Sequence, residues 1–249
     1  MELTVIGSGT GVPSPRRGAP SLLLKVNGKN LLVDIGSGTL QKLLLLGLNY
    51  HDPDVIFLTH LHPDHISDLL PFLFACKYSL SPRTKDLYII GGRGFREFYE
   101  GMKSLYGHWV KGETYRLHVQ EAPSGRRSLL GFEFVTLPLD HTRSSIGIRI
   151  EAEGKSIVFS GDTDYCPEIV ELSKGADLLV LECSFPNYRK VKGHLTPALA
   201  TEIAKEANVK KLLLTHFYPP CDEVDILEEC GKGFEGEVIL AEDMMKLFL

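Results

Sequence analysis

The sequence THLHPDH, which begins at Thr59, concentrates side chains that bind metal ions within six positions: His60, His62, Asp64 and His65. The five residues before it, DVIFL, are mostly apolar and predict a buried strand that ends where the cluster begins. In extended chain, residues i and i+2 point the same way, so His60 and His62 can bind one ion together. Pro63 favours a tight turn that directs the other two ligands to a second ion, roughly 3.5–4 Å away. A polar loop that is rich in histidine by chance is the alternative.

Three further ligand candidates stand at the ends of predicted strands: His141, Asp162 in SGDTD and His216 in LLLTH. A single histidine at a strand end is more often a hydrogen-bonded structural residue. The same placement repeated four times is what a site in the crevice between two sheets requires. Together the seven side chains predict a two-metal centre.

THLHPDH matches the HxHxDH signature of the metallo-β-lactamase fold superfamily of metal-dependent hydrolases, and the resemblance extends along nearly the whole chain. It implies an α+β fold arranged as a four-layer αββα sandwich. It also implies a division of the ligands, with His60, His62 and His141 on one ion, Asp64, His65 and His216 on the other, and Asp162 bridging the two. Asp34 in VDIGSG resembles the superfamily aspartate that supports a metal ligand, and a turn-capping aspartate is the alternative.

Nitrogen and carboxylate ligands without cysteine favour Zn²⁺, with Mn²⁺ and Fe²⁺ as alternatives because metal availability often decides occupancy. Two divalent ions that share a water lower its pKa to near neutrality, so the expected nucleophile is a hydroxide that bridges the metals. The ions also stabilise the oxyanions that form, and Asp64 can take the proton of the nucleophile.

A second pair of residues points to a branch of the superfamily. Glu182 in LECSF and His194 in GHLT resemble the ribonuclease Z branch, the tRNA 3′-end processing phosphodiesterases, in which a glutamate orients a histidine that serves the scissile phosphate. A carboxylate raises the pKa of an imidazole, which gives a cation that can stabilise phosphoryl oxygens and protonate a leaving alkoxide. A hydrogen bond at the start of a helix is the structural alternative for His194.

The sequence departs from that branch in two places. The Gly/Pro-rich arm that grips tRNA is absent between the His141 and Asp162 motifs, since Gly147–Gly161 has room for two strands and a turn. Ser67–Asp68, in HISDL, resembles the sulfatase- and phosphodiesterase-like members. The expected substrate is therefore a small phosphodiester or a short nucleic-acid end. Alternatives are a tRNA 3′-processing endoribonuclease, or a hydrolase of sulfate esters, lactones, β-lactams or thioesters.

Two other classes of function fit the sequence less well. A di-iron oxidoreductase on this fold would be expected to carry an acidic residue where His62 stands, and no flavin domain follows. A non-catalytic relative would usually have lost ligands, and all seven remain. A hydrolase is therefore favoured over both of these classes of function.

Sequence patterns predict the elements that position these residues. Asn27–Gly28 indicates a hairpin between Ser21–Val26 and Asn30–Ile35. The other predicted strands are residues 2–6, Asp54–Leu58, Asp86–Ile90, Thr114–Glu121, Gly131–Leu137, Ile146–Ala152, Ser156–Ser160, Asp177–Glu182, Lys211–Leu214, Glu237–Leu240 and Met244–Leu249. Predicted helices lie within Gly38–Gly47, Ile66–Tyr78 and Gly91–Gly107, after Pro167, after Thr196, and over Glu223–Cys230. GSGTG at Gly7–Gly11 predicts a permissive turn, because no helix follows it.

The composition narrows the classes of function. Residues 1–249 show no linker and are expected to form a single domain. A net charge of −5 argues against nucleic-acid binding through bulk electrostatics, and leaves local patches at Arg16–Arg17, Arg126–Arg127 and a helix with Arg93, Arg96 and Lys103. Five dispersed cysteines and no long apolar run predict a cytoplasmic protein without a membrane span. Dimers of this fold make a homodimer an open expectation.

Overall fold

The apolar runs form two mixed sheets in the computed structural model of the protein, which describes residues 1–78 and 80–249. The first sheet contains, in spatial order, β14 (Lys246–Phe248), β1 (Glu2–Gly7), β2 (Ser21–Val26), β3 (Lys29–Val33), β4 (Val55–Leu58), β5 (Leu87–Gly91) and β6 (Leu117–Glu121). The second contains β13 (Glu237–Leu240), β12 (Lys211–Thr215), β11 (Leu178–Glu182), β10 (Lys155–Phe159), β9 (Ile146–Ala152), β8 (Phe132–Pro138) and β7 (Gly125–Leu129).

Helices follow the strands and cover the outer faces of the sheets. They are α1 (Thr39–Leu45), α2 (Pro63–Ile66), α3 (Leu69–Tyr78), α4 (Phe95–Tyr106), α5 (Pro167–Ser173), α6 (Pro197–Glu206) and α7 (Ile226–Glu229). Single 3₁₀ turns occupy Gly107–Val110, Asn187–Arg189 and Pro219–Glu223. Within the described chain, no helix is long and apolar enough to span a bilayer.

Strand β4 shows how the layers stack, because it is buried on both faces. On one face Phe57 packs against Phe134 of β8, with ring centroids 5.2 Å apart, so this face belongs to the core between the sheets. On the other face Ile56 shares a second apolar cluster with Phe72 of α3 and Phe95 of α4. Burial on both faces explains why the segment reads as a continuous apolar run. The α+β fold with four αββα layers is confirmed.

The topology gathers strand ends at one edge of the molecule. Strands β3 to β6 are parallel, and so are β10 to β13, so the carboxyl ends within each set lie at a common edge. Backbone hydrogen bonds join the two sheets there: Ile146 N–H donates to Thr59 O at 2.9 Å, and Phe217 N–H donates to Ser8 O at 3.0 Å. Open sheets bind ligands in the crevice outside such carboxyl ends.

The predicted helix Ile66–Tyr78 is wrong in its first turn, because α2 and α3 are separate helices. Pro63 begins α2 as its first residue and does not form an isolated tight turn. Ile35, just after β3, donates its N–H to His65 O at 2.8 Å and accepts from Asp68 N–H at 3.0 Å. The His65 carbonyl and the Asp68 N–H are therefore not available for hydrogen bonds within one continuous helix.

Two further expectations need correction. Strand β7 was not predicted, because its sequence GRRSL is polar and largely exposed at the edge of the sheet and shows no apolar alternation. The predicted helix Glu223–Cys230 is shorter in the structure: helix α7 covers only Ile226–Glu229, and Glu223 ends a 3₁₀ turn over Pro219–Glu223. The two strands expected within Gly147–Gly161 are confirmed as β9 and β10, joined by a turn at Glu153–Gly154.

Candidate metal centre

The seven predicted ligands converge at the edge where the parallel strands end. They are His60 after β4, His62, Asp64 and His65 at the start of α2, His141 after β8, Asp162 after β10 and His216 after β12. Their ligand atoms form two groups, and the atoms of each group lie within 4.8 Å of one another: His60, His62, His141 and Asp162 in the first group, and Asp64, His65 and His216 in the second.

The first group surrounds one oxygen of Asp162. His60 Nε2 lies 3.7 Å and His141 Nε2 lies 3.8 Å from Asp162 Oδ2. His62 Nδ1 lies 3.2 Å from His141 Nε2, and the three imidazole rings pack edge to face. Three imidazoles and a carboxylate oxygen form a donor set suited to Zn²⁺.

The second group surrounds the other oxygen of Asp162. His65 Nε2 and His216 Nε2 are each 3.3 Å from Asp162 Oδ1 and 3.2 Å from one another. Asp64 Oδ2 lies 3.9 Å from His65 Nε2 and 3.7 Å from His216 Nε2. Asp162 therefore presents one carboxylate oxygen to each group, as a bridging ligand would.

Two buried atoms indicate that the donors suit metal ions. His60 Nε2 and Asp162 Oδ1 have no hydrogen-bond partner in the described part of the chain, although buried polar atoms are normally paired. Ligands held at about 2.1 Å from Zn²⁺ in a tetrahedron stand roughly 3.4 Å apart, close to the separations within both groups. The residues present thus fit divalent ions.

The protonation states agree with that fit. Burial, with a smaller contribution from His65, lowers the pKa of His60 to about 2, so its imidazole is neutral and its lone pair is available. Burial alone would raise the pKa of Asp162, but His216 and His65 hold it well below its usual value. The Asp162 and Asp34 carboxylates outweigh burial and raise the pKa of His65, so a cation bound there would displace a proton.

Asp34 makes hydrogen bonds behind the candidate metal ligands. Its Oδ2 bonds His65 Nδ1 at 2.7 Å and accepts the Thr59 hydroxyl at 2.7 Å, while its Oδ1 accepts Thr59 N–H at 2.8 Å. Thr59 Oγ1 lies 3.1 Å from His60 Nδ1, so one aspartate orients a ligand of each group. The backbone of Asp34 is left-handed, with φ 61°, a strained conformation that is common at functional sites.

His141 and His216 are also fixed through their second nitrogen. His141 Nδ1 bonds Gly193 O at 2.8 Å, which ties the loop after β8 to the loop before α6. His216 Nδ1 bonds Ser184 Oγ at 2.9 Å, and His216 itself has φ 62°. Such bonds fix the tautomer and the ring orientation of a ligand.

Glu182 and His194 form a hydrogen-bonded pair beside the candidate ligands. His194 Nδ1 lies 2.9 Å from Glu182 Oε1 and 4.0 Å from Asp162 Oδ2. Burial by itself lowers the pKa of His194, but the hydrogen bond to Glu182 raises it above its usual value. Glu182 also accepts Thr163 N–H at 2.8 Å and Leu195 N–H at 3.1 Å, so the carboxylate braces two loops of the site.

An alternative metal position is visible in the same region. Asp162, His194 and His216 also bring ligand atoms within 4.8 Å of one another. His194 Nδ1 is engaged by Glu182, and Ser184 Oγ lies 3.2 Å from the same nitrogen. Asp162 and His216 already belong to the two groups above, so His194 is the additional donor of this third group.

Sequence reasoning missed two supporting contacts. Gly11 N–H donates to Asp64 Oδ2 at 2.9 Å, so the permissive turn after β1 reaches the metal centre. A side chain on Gly11 would crowd Asp64, because its Cβ would lie 3.1 Å from the Asp64 Cβ. Ser184 was also missed, and only its place two residues after Glu182 at the end of β11 could have indicated it.

Comparisons with known proteins agree with this geometry. Residues 29–217 match the family described as Beta-lactamase superfamily domain. Ribonuclease Z of Mycobacterium bovis is 30% identical over 279 aligned positions, which cover 99% of this chain and 98% of the relative. Ribonuclease Z of Archaeoglobus fulgidus is 27% identical over 304 positions, which cover 99% of this chain and 97% of the relative.

Solved structures show the same relationship. The metallo-beta-lactamase fold protein YhfI from Bacillus subtilis superimposes with a TM-score of 0.84 at 27% identity and covers 99% of this chain and 98% of its own. Human tRNase Z, short form, gives a TM-score of 0.79 at 27% identity, with 100% and 99% coverage. The chain therefore belongs to the β-lactamase superfamily, in its ribonuclease Z-like branch of metal-dependent hydrolases.

Proposed function

We propose that the protein is a dinuclear metal-dependent phosphodiesterase that hydrolyses small phosphodiesters or short single-stranded nucleic-acid ends. The observation that carries the proposal is Asp162, whose two oxygens face separate groups of histidines at 3.3 Å and 3.7–3.8 Å. The His194–Glu182 pair beside it favours a phosphodiester over a lactone or thioester, for which such a pair has no evident use. Two zinc ions are proposed, because the donors are imidazoles and carboxylates.

Each residue has a defined task in this proposal. The ions, when bound, supply Lewis acidity that lowers the pKa of a water and neutralises charge on phosphoryl oxygens. Asp64, fixed by Gly11 N–H, is the group that accepts the proton of the attacking water. His194, held by Glu182, donates a hydrogen bond to the phosphoryl group and protonates the leaving alkoxide. His60, His65 and Asp162 are almost fully buried, and this low-dielectric setting strengthens the electrostatic interactions of the site.

A tRNA 3′-processing endoribonuclease is the second candidate, favoured by the full-length similarity to ribonuclease Z. The alignment with the Archaeoglobus enzyme has 304 positions whereas this chain has 249 residues, so that relative carries segments without a counterpart here. The turn at Glu153–Gly154 leaves no room for an arm between β9 and β10. With a net charge of −5, the chain has little excess positive charge with which to bind the phosphates of a folded tRNA.

The domain organisation, the cellular compartment and the oligomeric state are also part of the proposal. We propose one domain, because the core between the sheets takes side chains from β1 through β12. All five cysteines are free and buried, which supports work in the reducing cytoplasm. A homodimer is supported by an apolar cleft between α3 and α4, where Leu105 is 82% exposed.

Metal analysis tests the dinuclear centre directly. Protein purified without chelator is expected to hold about two equivalents of divalent metal per chain, because the ligands form two groups around one shared carboxylate. The same protein after dialysis against chelator is the control, and reloading with zinc should restore both the metal and the activity. A stoichiometry of one that persists after loading with zinc or manganese contradicts the proposal.

Substrate size separates the two candidate functions. The expected result is a higher kcat/KM for an activated small phosphodiester than for a precursor tRNA, with weak dependence on salt, because few phosphate contacts lie beyond the site. The measurement compares both substrates at two salt concentrations. Efficient and strongly salt-dependent cleavage of tRNA at the 3′ junction would instead establish the endoribonuclease.

A further inference from the structure

A surface cleft of about 360 Å³ opens beside the metal centre, and its wall begins at Thr142, the residue after the ligand His141. Two arginines line it, Arg93 and Arg143, together with three hydroxyl side chains, Thr142, Ser124 and Ser145. No carboxylate stands among its described lining residues. The cleft is thus positively charged, although the chain as a whole is negative.

Close contact between two loops builds the cleft. Gly92, which follows β5, lies so near the loop after His141 that a Cβ on it would stand 2.0 Å from Ser144 O. Only glycine permits this approach, and it brings together two chain segments that are about fifty positions apart in sequence. Arg93 directly follows Gly92, and Arg143 directly precedes Ser144, so the contact sets both arginines on the wall of one cleft.

Neither arginine has a hydrogen-bond or ion-pair partner among the residues that the structure describes. Both are exposed, and no hydrogen bond or ion pair of their side chains occurs in the part of the chain that the structure describes. Other arginines are engaged: Arg126 pairs with Glu133 and Glu151, and Arg17 pairs with Asp222. Free guanidinium groups in a concave site are suited to bind phosphate, which they can hold through two parallel hydrogen bonds.

The cleft on the Asp64 side of the centre differs in character. Its volume is about 370 Å³, and it is lined by hydroxyls of Thr10, Ser14, Ser37 and Ser67 and by the Asp64 carboxylate. Its one arginine, Arg17, is already paired with Asp222. A second anionic group of a substrate is therefore favoured on the His141 side and disfavoured on the Asp64 side.

We propose that the cleft of Arg93 and Arg143 is a second anion subsite, which binds a phosphate group adjacent to the scissile phosphodiester of the substrate. The preferred substrates then carry two or more phosphates, as nucleotides with an additional phosphate and short oligonucleotides do. This inference rests on the proposed phosphodiesterase function, because it assumes that the scissile phosphate lies at the metal centre. The subsite supplies affinity and selectivity, and it leaves the bond-breaking step to the residues described above.

Matched chromogenic esters test the subsite. The pair is the 5′-(p-nitrophenyl phosphate) of thymidine and the same ester with an added 3′-phosphate, assayed with metal-loaded protein. Wild type is expected to prefer the doubly phosphorylated ester, and Arg93→Gln and Arg143→Gln should each lower its kcat/KM by about tenfold, mainly through KM. The singly phosphorylated ester should change less than about twofold, because the catalytic groups are untouched.

Arg116→Gln is the matched control, since this exposed arginine stands just before β6, at the opposite end of the strand from the cleft. It should change neither ester. Because the exposed side chains of Arg93 and Arg143 make no hydrogen bond or ion pair among the described residues, their variants should unfold at the wild-type temperature, and the unfolding curve checks this. Equal kcat/KM of wild type for the two esters, or an equal loss for both in the variants, would overturn the subsite.

A binding measurement separates the subsite from the proposed activity and identifies the source of the phosphate. Calorimetry of metal-loaded protein should show tighter binding of adenosine 3′,5′-bisphosphate than of adenosine 5′-monophosphate. The variant that combines Arg93→Gln and Arg143→Gln should lose that preference, even if the protein hydrolyses no ester. A trinucleotide that binds still more tightly through the same arginines assigns the subsite to nucleic-acid ends, whereas equal affinity assigns it to small nucleotides. No preference for the bisphosphate in wild type contradicts the inference.

Discussion

His194→Ala is expected to lower kcat by about 10²–10⁴ while both metal ions stay bound, which is the range for loss of a positioned general acid. The reason is geometric. His194 Nδ1 is held by Glu182 at 2.9 Å, and the ligands of the two metal groups are complete without it. The measurements are metal content and the single-turnover rate on a small phosphodiester whose alkoxide leaving group must be protonated.

His118→Ala is the matched control, because His118 lies on β6 and stacks on Tyr88, outside the metal groups. It should retain wild-type turnover. Loss of metal in His194→Ala would make His194 a ligand in the third position described above, and unchanged turnover would leave it a purely structural residue. A leaving group that needs no proton should partly restore the rate of His194→Ala, because the general acid is then dispensable.

Glu182→Gln should follow His194→Ala in direction, with an added effect on the site as a whole. The carboxylate accepts four hydrogen bonds, from His194, Ser184, Thr163 N–H and Leu195 N–H. An amide can accept through only one of its two terminal atoms, so part of this network is lost. Because Ser184 also bonds the ligand His216, some loss of metal affinity should accompany the loss of rate.

The ligands and most strands could be predicted from the sequence because their signals are local. Apolar runs in β4 and β12 predict buried strands, and the candidate ligands His60 and His216 stand within two residues of where those strands end. The hairpin at Asn27–Gly28 has the same local origin, since both residues have positive φ. The candidate ligands and the positions of most strands along the chain were thus indicated by the sequence, whereas the order of the strands within each sheet was not.

The parts that could not be predicted depend on contacts between distant segments. Arg93 was assigned to a basic helix with Arg96 and Lys103, but α4 begins only at Phe95, and Arg93 lies on the cleft wall with Arg143. Their proximity arises from packing of Gly92 on Ser144, which no local pattern shows.

A buried arginine makes the same point. Arg83 is fully enclosed and donates to the carbonyl oxygens of Tyr50, Pro53, Lys85 and Asp86. Arginine is almost never fully buried without such partners, so the sequence favours a surface position for it. Its partners come from the segment before β4 as well as from its own loop, so only the folded chain reveals its position.

Asp162→Asn is expected to have the greatest effect on the metal centre. Each carboxylate oxygen faces a different group, Oδ1 at 3.3 Å from His65 Nε2 and His216 Nε2, and Oδ2 at 3.7 Å from His60 Nε2. An amide keeps one acceptor and turns an NH₂ group with partial positive charge toward the other group. Metal content should therefore fall from about two equivalents to one or fewer, and kcat by about 10³ or more.

Asp177→Asn is the control that separates loss of a ligand from loss of a hydrogen-bonded carboxylate. Asp177 stands at the start of β11, at the opposite end of the same sheet, where it accepts Ser156 N–H at 2.8 Å and pairs with Lys210 at 2.7 Å. Its replacement should lower the unfolding temperature and leave the metal content unchanged. If Asp162→Asn instead kept two tightly bound ions, the shared carboxylate would not be a bridge, and the two groups would have to bind their ions independently.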